Sequence, residues 1–240
     1  MRAALPQALA GLLLVGGAGA LSHAEAVAAP RQGEPLALLL APLGPAKALL
    51  SSALWVAVLH EHRHGDPESL LPLARALLDV HPGLDAVREF LAGQLIVTEA
   101  PRATDATRHA ALVQAGLAML EDGRQLSGSP RLHATLGRLL YIRRAQDAAF
   151  EPVAEAYFGS SLPDVAIEAL AHSSEPDDAR LRAELLVERG LKAVADDERG
   201  EARADLAEAE AAMAPLRGRS AGQEADLEAL LLPLREALAR

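Results

Sequence analysis

The sequence predicts an all-α protein built as an array of antiparallel helix pairs, and three observations predict it. Half of the chain is hydrophobic while aromatic residues make up only 2%. Alanine and leucine dominate and the strand-favouring residues are scarce, so intrinsic preference lies with helix. Apolar positions recur with helical rather than alternating period. Proline and glycine cut the chain into pieces of helical length.

Charge and cysteine usage narrow the function. The 33 acidic residues outweigh 23 basic ones, a formal net charge of −10. Nucleic acid and anionic membrane surfaces require a positive field, so neither is expected as a partner. Cysteine is absent, which excludes disulfides, thiol nucleophiles and lipoprotein acylation and leaves stability to packing.

Residues 1–26 have the grammar of an export signal. Arg2 and the terminal amine form a positive start, Ala8 to Val15 an apolar centre, and Gly16 to Ala26 a stretch of small residues. Cleavage is expected after Ala24 or Ala26, with Ala20 as a third option. The competing reading is a retained anchor, because Ala3 to Ser22 carries no charge over about the length that spans a bilayer; its glycines and Pro6 weigh against a stable spanning helix. The expected location is therefore the periplasm or cell envelope, with membrane contact only through this segment if it is retained.

Residues 27–45 read as a linker and a short apolar segment. The run from Leu36 to Leu59 is broken by Pro42, Pro45 and Lys47, so a helix is expected from Ala46 to His64 with Trp55 on its apolar face. Asp66 and Pro67 then cap and open a helix to Val80, on which Leu70, Leu71, Leu73, Ala74, Leu77 and Leu78 form a stripe. His81-Pro82-Gly83 ends it. A helix from Leu84 to Val97 follows, then a polar loop, a helix from Asp105 to Glu121, and a break over Asp122 to Pro130. Pro130 opens a further helix carrying Leu132, Leu136, Leu139 and Leu140. A turn at Ala145 to Asp147 leads to a second helix through Val153, Ala156 and Tyr157.

Pro130 to Pro163 spans 33 residues, with Leu136-Gly137 early in the first helix, Tyr141 near its end, Ala149 after the turn and Ala156 in the second helix. This unit resembles a tetratricopeptide repeat. Leu77 to Gly93 and Leu112 to Gly137 are similar, in more degenerate form, to the first repeats of bacterial envelope tetratricopeptide-like proteins, which follow a Trp-bearing helix, here Ala53-Leu54-Trp55. The resemblance covers about residues 46 to 165 and implies a repeat domain over 46–171. In it, Gly93 and Gly137 would hold equivalent small positions where paired helices cross, although they lie 44 residues apart rather than the roughly 34 of the regular repeat. It further implies an α-solenoid with a non-enzymatic protein–protein interaction or scaffold role, and a protein or peptide partner in the envelope. Residues 172–240 continue as helices that stack on and cap the array, over Asp177–Val194, Arg199–Met213 and Gln223–Ala239, after a short helix at Pro163–Ala171.

One motif points elsewhere. His60, Glu61 and His64 spell H-E-x-x-H, in which two histidines one turn apart hold zinc and the glutamate is the general base. A zinc-dependent hydrolase is accordingly the alternative function. Gly65-Asp66-Pro67 closes the helix directly after His64, so the pair sits on a last turn, where imidazole also suits the negative helix terminus. Pro67 stands where the extended motif has glycine. The expected reading is therefore exposed helix-end histidines and no resident metal or cofactor, with His60, His62, His64 and His81 able at most to take up a transition metal adventitiously. Trp55, Phe90, Tyr141, Tyr157 and Phe158 are expected in the core. Asp177, Asp178, Asp196, Asp197 and Glu198 are expected at solvated helix ends. No residue is assigned a catalytic role.

Overall fold

The computed structural model describes residues 44–64, 67–216 and 221–240; the expected export segment over 1–26 and most of the expected linker lie outside them. Among the described residues there are ten α-helices and no strand, so the protein is all-α. The helices are α1 (Gly44–His64), α2 (Pro67–Val80), α3 (Asp85–Gly93), α4 (Ala106–Ser127), α5 (Pro130–Gln146), α6 (Phe150–Phe158), α7 (Leu162–Ala171), α8 (Pro176–Ala195), α9 (Arg199–Met213) and α10 (Ala221–Ala239). The described residues fall into two compact units divided between Val87 and Arg88.

In the first unit α1 lies along α2, and Val58, Leu70, Ala74 and Leu77 are buried. Helix α1 starts at Gly44 rather than Ala46 because Pro45 falls in its first turn, where a missing N–H breaks no intrahelical bond.

In the second unit each helix boundary has a local cause. The expected helix over Leu84–Val97 instead ends at Gly93 and widens into a π turn over Gln94–Glu99, followed by a 3-10 turn at Ala100–Arg102. The wider turn brings Leu95, Ile96 and Ala100 all into the core, each fully buried, although Leu95 and Ala100 are five positions apart, a π rather than an α spacing. Asp105 caps α4, its carboxylate accepting from the Arg108 N–H at 2.8 Å. Helix α4 continues through Gly123 to Ser127, contrary to the expected break at Asp122. The breaker is Gly128, whose φ of 60° supplies the left-handed C-cap; Gly123 is a packing position. Gly159, at φ 69°, ends α6 in the same way.

A repeating unit emerges from these boundaries. Helices α3, α5, α8 and α10 begin at Asp85, Pro130, Pro176 and Ala221, so successive starts are 45, 46 and 45 residues apart. Their partners α4, α7 and α9 end at Ser127, Ala171 and Met213. Within each pair the helices run antiparallel: Arg88 meets the carbonyl of Met119 while Ile96 faces Gly116, and Arg182 meets Glu208 while Arg189 meets Asp205. Buried positions repeat in the same phase, Leu91 with Leu136, Ala92 with Gly137 and Leu95 with Leu140. The short α6 is an insertion in the turn of the second pair.

Glycines mark the close helix approaches, within the first two pairs at Gly116 and Gly137 and between α8 and α10 at Gly190. A Cβ on Gly116 would lie 2.6 Å from Ile96 Cγ1, on Gly137 2.5 Å from Leu170 Cγ, and on Gly190 2.7 Å from Leu234 Cδ2. Two corrections follow. The helix crossing Gly137 is α7, not the Phe150–Phe158 helix that the tetratricopeptide reading pairs with it. Gly93 has nothing within 4 Å of its Cβ position, so it is not the counterpart of Gly137; Ala92 is.

The aromatics also differ from expectation. Trp55, Phe90, Tyr141, Tyr157 and Phe158 are half-buried, and the fully buried aromatic is Phe150. A tyrosine ring can bury while its hydroxyl keeps a polar partner: Tyr141 Oη donates to Glu184 at 2.6 Å.

Candidate functional site

The H-E-x-x-H segment closes α1. His60 is exposed, and Glu61 accepts a hydrogen bond from Ser69 Oγ of α2 at 2.8 Å, so its carboxylate helps join the two helices. The side chain of His64 lies outside the described residues. Among the described residues no three His, Asp or Glu side chains gather into a metal-holding group. His81 has its pKa lowered by burial and by the charge of Lys47, surroundings that also oppose a bound cation. Replacing His60 by alanine, or adding a chelator, should therefore leave stability within about 0.5 kcal/mol of the parent. Chemical denaturation checks this, and a larger loss reversed by zinc would restore the metal reading.

The second unit contains a concavity that the sequence did not suggest. It has a volume of about 430 Å³ and is built from the inter-helix segments of the first two pairs. One wall is Ala100 to Asp105 with the first turn of α4; the other is the end of α5 and the turn into α6. Across it His109 Nε2 lies 2.9 Å from Asp147 Oδ2, and Arg143 Nη2 donates to the same oxygen at 2.6 Å. The Ala149 N–H donates to Asp147 Oδ1 at 3.1 Å. His109 and Arg143 are buried.

Local sequence explains the arrangement. Asp147 is the C-cap of α5, one turn beyond Arg143, so i,i+4 spacing aligns guanidinium and carboxylate. Asp147 then bridges the turn by accepting from the amide two residues on, the usual Asp turn geometry. Partial burial raises the Asp147 pKa, but hydrogen bonds from His109, the Ala149 amide and Arg143 outweigh it and hold the carboxyl below its ordinary value. An ionised carboxylate shared by a guanidinium and an imidazole is a weak base. It fixes the orientation of the His109 ring, as an orienting carboxylate does for a catalytic imidazole, and leaves Nδ1 as the nitrogen not engaged by Asp147. Thr104, Asp105 and Gln146 supply the remaining polar groups of the walls. Arg143 Nε is buried with no hydrogen-bond partner, so the site retains one unmet donor.

No motif announces this group, because His109 and Asp147 are 38 residues apart and belong to different helix pairs. Only the 45-residue period would have indicated that the two inter-helix segments are neighbours.

Asp178 corrects a second expectation. Asp177, Asp196, Asp197 and Glu198 are exposed as expected, but Asp178 is fully buried. It pairs with the Arg138 guanidinium, with Nη2 to Oδ2 at 2.7 Å, and accepts from Ser173 Oγ at 2.5 Å. It belongs to a ladder joining the first helices. Arg131 and Thr135 of α5 bond Glu89 of α3. Arg138, Tyr141 and Arg144 of α5 bond Asp178, Glu184 and Glu188 of α8 in the same order along the chain, so α5 and α8 run parallel.

No protein-family model matches the chain, and no curated protein or solved structure matches it either.

Proposed function

We propose that the chain is a non-enzymatic helical-repeat module that binds a protein or peptide partner in a bacterial cell envelope. The supporting observation is the repeat: three antiparallel pairs and a last helix whose starts are spaced 45, 46 and 45 residues apart, with first helices tied by side chains 40 to 46 residues apart. Stacking identical units in one direction produces an α-solenoid, whose extended face suits an extended partner. The unit is longer than the roughly 34 residues of a tetratricopeptide repeat and lies within the roughly 40 to 47 of HEAT-type helix pairs, so we assign the chain to helical-repeat proteins with an irregular, long unit. Residues 1–26 support the location.

The test uses the full chain in an export-competent bacterium, with a photo-crosslinking residue at Ile142, an exposed side chain on α5. The protein should be recovered outside the cytoplasm, shortened by 24 or 26 residues, crosslinked to one partner in stoichiometric yield. Recovery of the chain alone would overturn the scaffold reading. So would about one tightly bound zinc per chain, lost together with hydrolytic activity in His60→Ala.

A further inference from the structure

The α5–α7 crossing carries a second contact one helical turn from Gly137. The ring of His133 lies against that of His172, with centroids 4.1 Å apart and planes tilted by 42°. His133 is four residues before Gly137 on α5, and His172 is the C-cap of α7, two residues after the Leu170 that fills the Gly137 gap. The two rings and the glycine notch therefore lie on one inter-helix face. A Cβ on Gly137 would stand 2.5 Å from Leu170 Cγ and 3.2 Å from the Ala166 carbonyl oxygen, so α5 and α7 approach closely beside the rings.

The surroundings favour a neutral His133 ring. His133 Nδ1 is buried with no hydrogen-bond partner; as a bare lone pair it is unsatisfied, and as a protonated donor it would bring an unpaired charge to the same place. Arg124 of α4 adds positive charge nearby, while Glu121 of α4 and Glu168 of α7 pull the other way. Glu121 is itself engaged by Arg124 at 3.4 Å and by Gln125. Burial, then Arg124 and His172, outweigh the two carboxylates and lower the His133 pKa below the ordinary 6.5. A base with a lowered folded-state pKa stabilises the fold fully above its unfolded value and loses that contribution as pH falls below it.

We propose that the His133–His172 stack is a proton-operated latch. It holds the C-terminal end of α7 against α5 while His133 is neutral, and it loosens that end when His133 takes up a proton in acid. A proton on His133 would place charge at its buried Nδ1, beside Arg124, and weaken the ring contact between α5 and the end of α7. An envelope module carrying this latch would loosen its second helix pair in acid without unfolding the others.

The experiment measures hydrogen exchange of the full-length protein at pH 7.5 and 5.5, corrected for intrinsic rates, together with an NMR titration of the imidazole resonances. Amides over Val165–Ala171 should lose protection on the order of tenfold relative to those of α9, and His133 should titrate below the ordinary 6.5. His172→Gln, at an exposed C-cap, and His133→Phe should each abolish most of the acid-induced loss. If His133→Phe fails to fold, His172→Gln alone decides. An unchanged loss in His172→Gln, equal protection at both pH values in the parent, or a His133 titration at or above the ordinary 6.5 would each overturn the latch.

Discussion

Gly137→Leu should lower the melting temperature by roughly 2 to 12 °C. A Cβ at this position would already stand 2.5 and 2.8 Å from the Leu170 side chain and 3.2 Å from the Ala166 carbonyl oxygen. The first neighbour can rotate, but the second is backbone, so the added carbons must push α7 away from α5. Overpacking of this kind costs about 1 to 3 kcal/mol, and each kcal/mol moves a domain of this size by about 2 to 4 °C. The contrast that isolates packing from chemistry is Gly93→Ala. Gly93 has helical dihedrals and open space at its Cβ position, so alanine there should raise stability by about 0.5 to 1 kcal/mol through helix propensity. A differential scan of the two variants checks both signs. If Gly137→Leu melts with the parent, the α5–α7 crossing is looser than the structure describes.

These two glycines show what could be read from the chain and what could not. Helix starts marked by Pro67 and Pro130, and the whole of α9, follow from local chemistry: fixed φ, capping side chains and apolar period. Gly93 and Gly137 carry the same letter, yet one faces open space and the other a neighbouring helix, and nothing within a helix-length window distinguishes them. Gly123 misled in the same way. Its local sequence predicts a break, whereas it sits where Arg88 and Leu132 approach closely. The π turn at Gln94–Glu99 escaped notice because its five-residue spacing matches neither helical nor strand periodicity. Asp178 looked like a solvated first-turn carboxylate, which is its role locally; its burial is imposed by Arg138, 40 residues away. Local signals place the helices, while glycine contacts, buried charges and the pocket depend on how one pair lies on the next.

The strongest test of that dependence is Asp147→Ala, expected to cost about 3 to 5 kcal/mol. Removing one partner of a buried ion pair is more damaging than replacing both, because the remaining charge is left without water or counter-charge. Here the remaining charge is Arg143, whose side chain is 6% exposed and whose Nε already lacks a partner. The same change also takes the acceptor from His109 and uncaps the turn at Ala149. Asp147→Ala with Arg143→Met should recover much of the loss, since the guanidinium no longer has to be buried unpaired, and the shortfall from additivity should reach about 0.5 to 3 kcal/mol. His109→Ala should cost less than Asp147→Ala, because the carboxylate keeps Arg143. The pH dependence gives an independent check. With its folded pKa held below the ordinary 3.8, Asp147 contributes fully above that value and progressively less below it, so the gap between parent and Asp147→Ala should narrow as pH falls below about 4. If instead Asp147→Ala is nearly neutral at pH 7, the carboxylate does not hold the two inter-helix segments together. The His109–Asp147 pair in the concavity would then be arranged for a ligand rather than for the fold, and the non-enzymatic reading would have to give way at this site first.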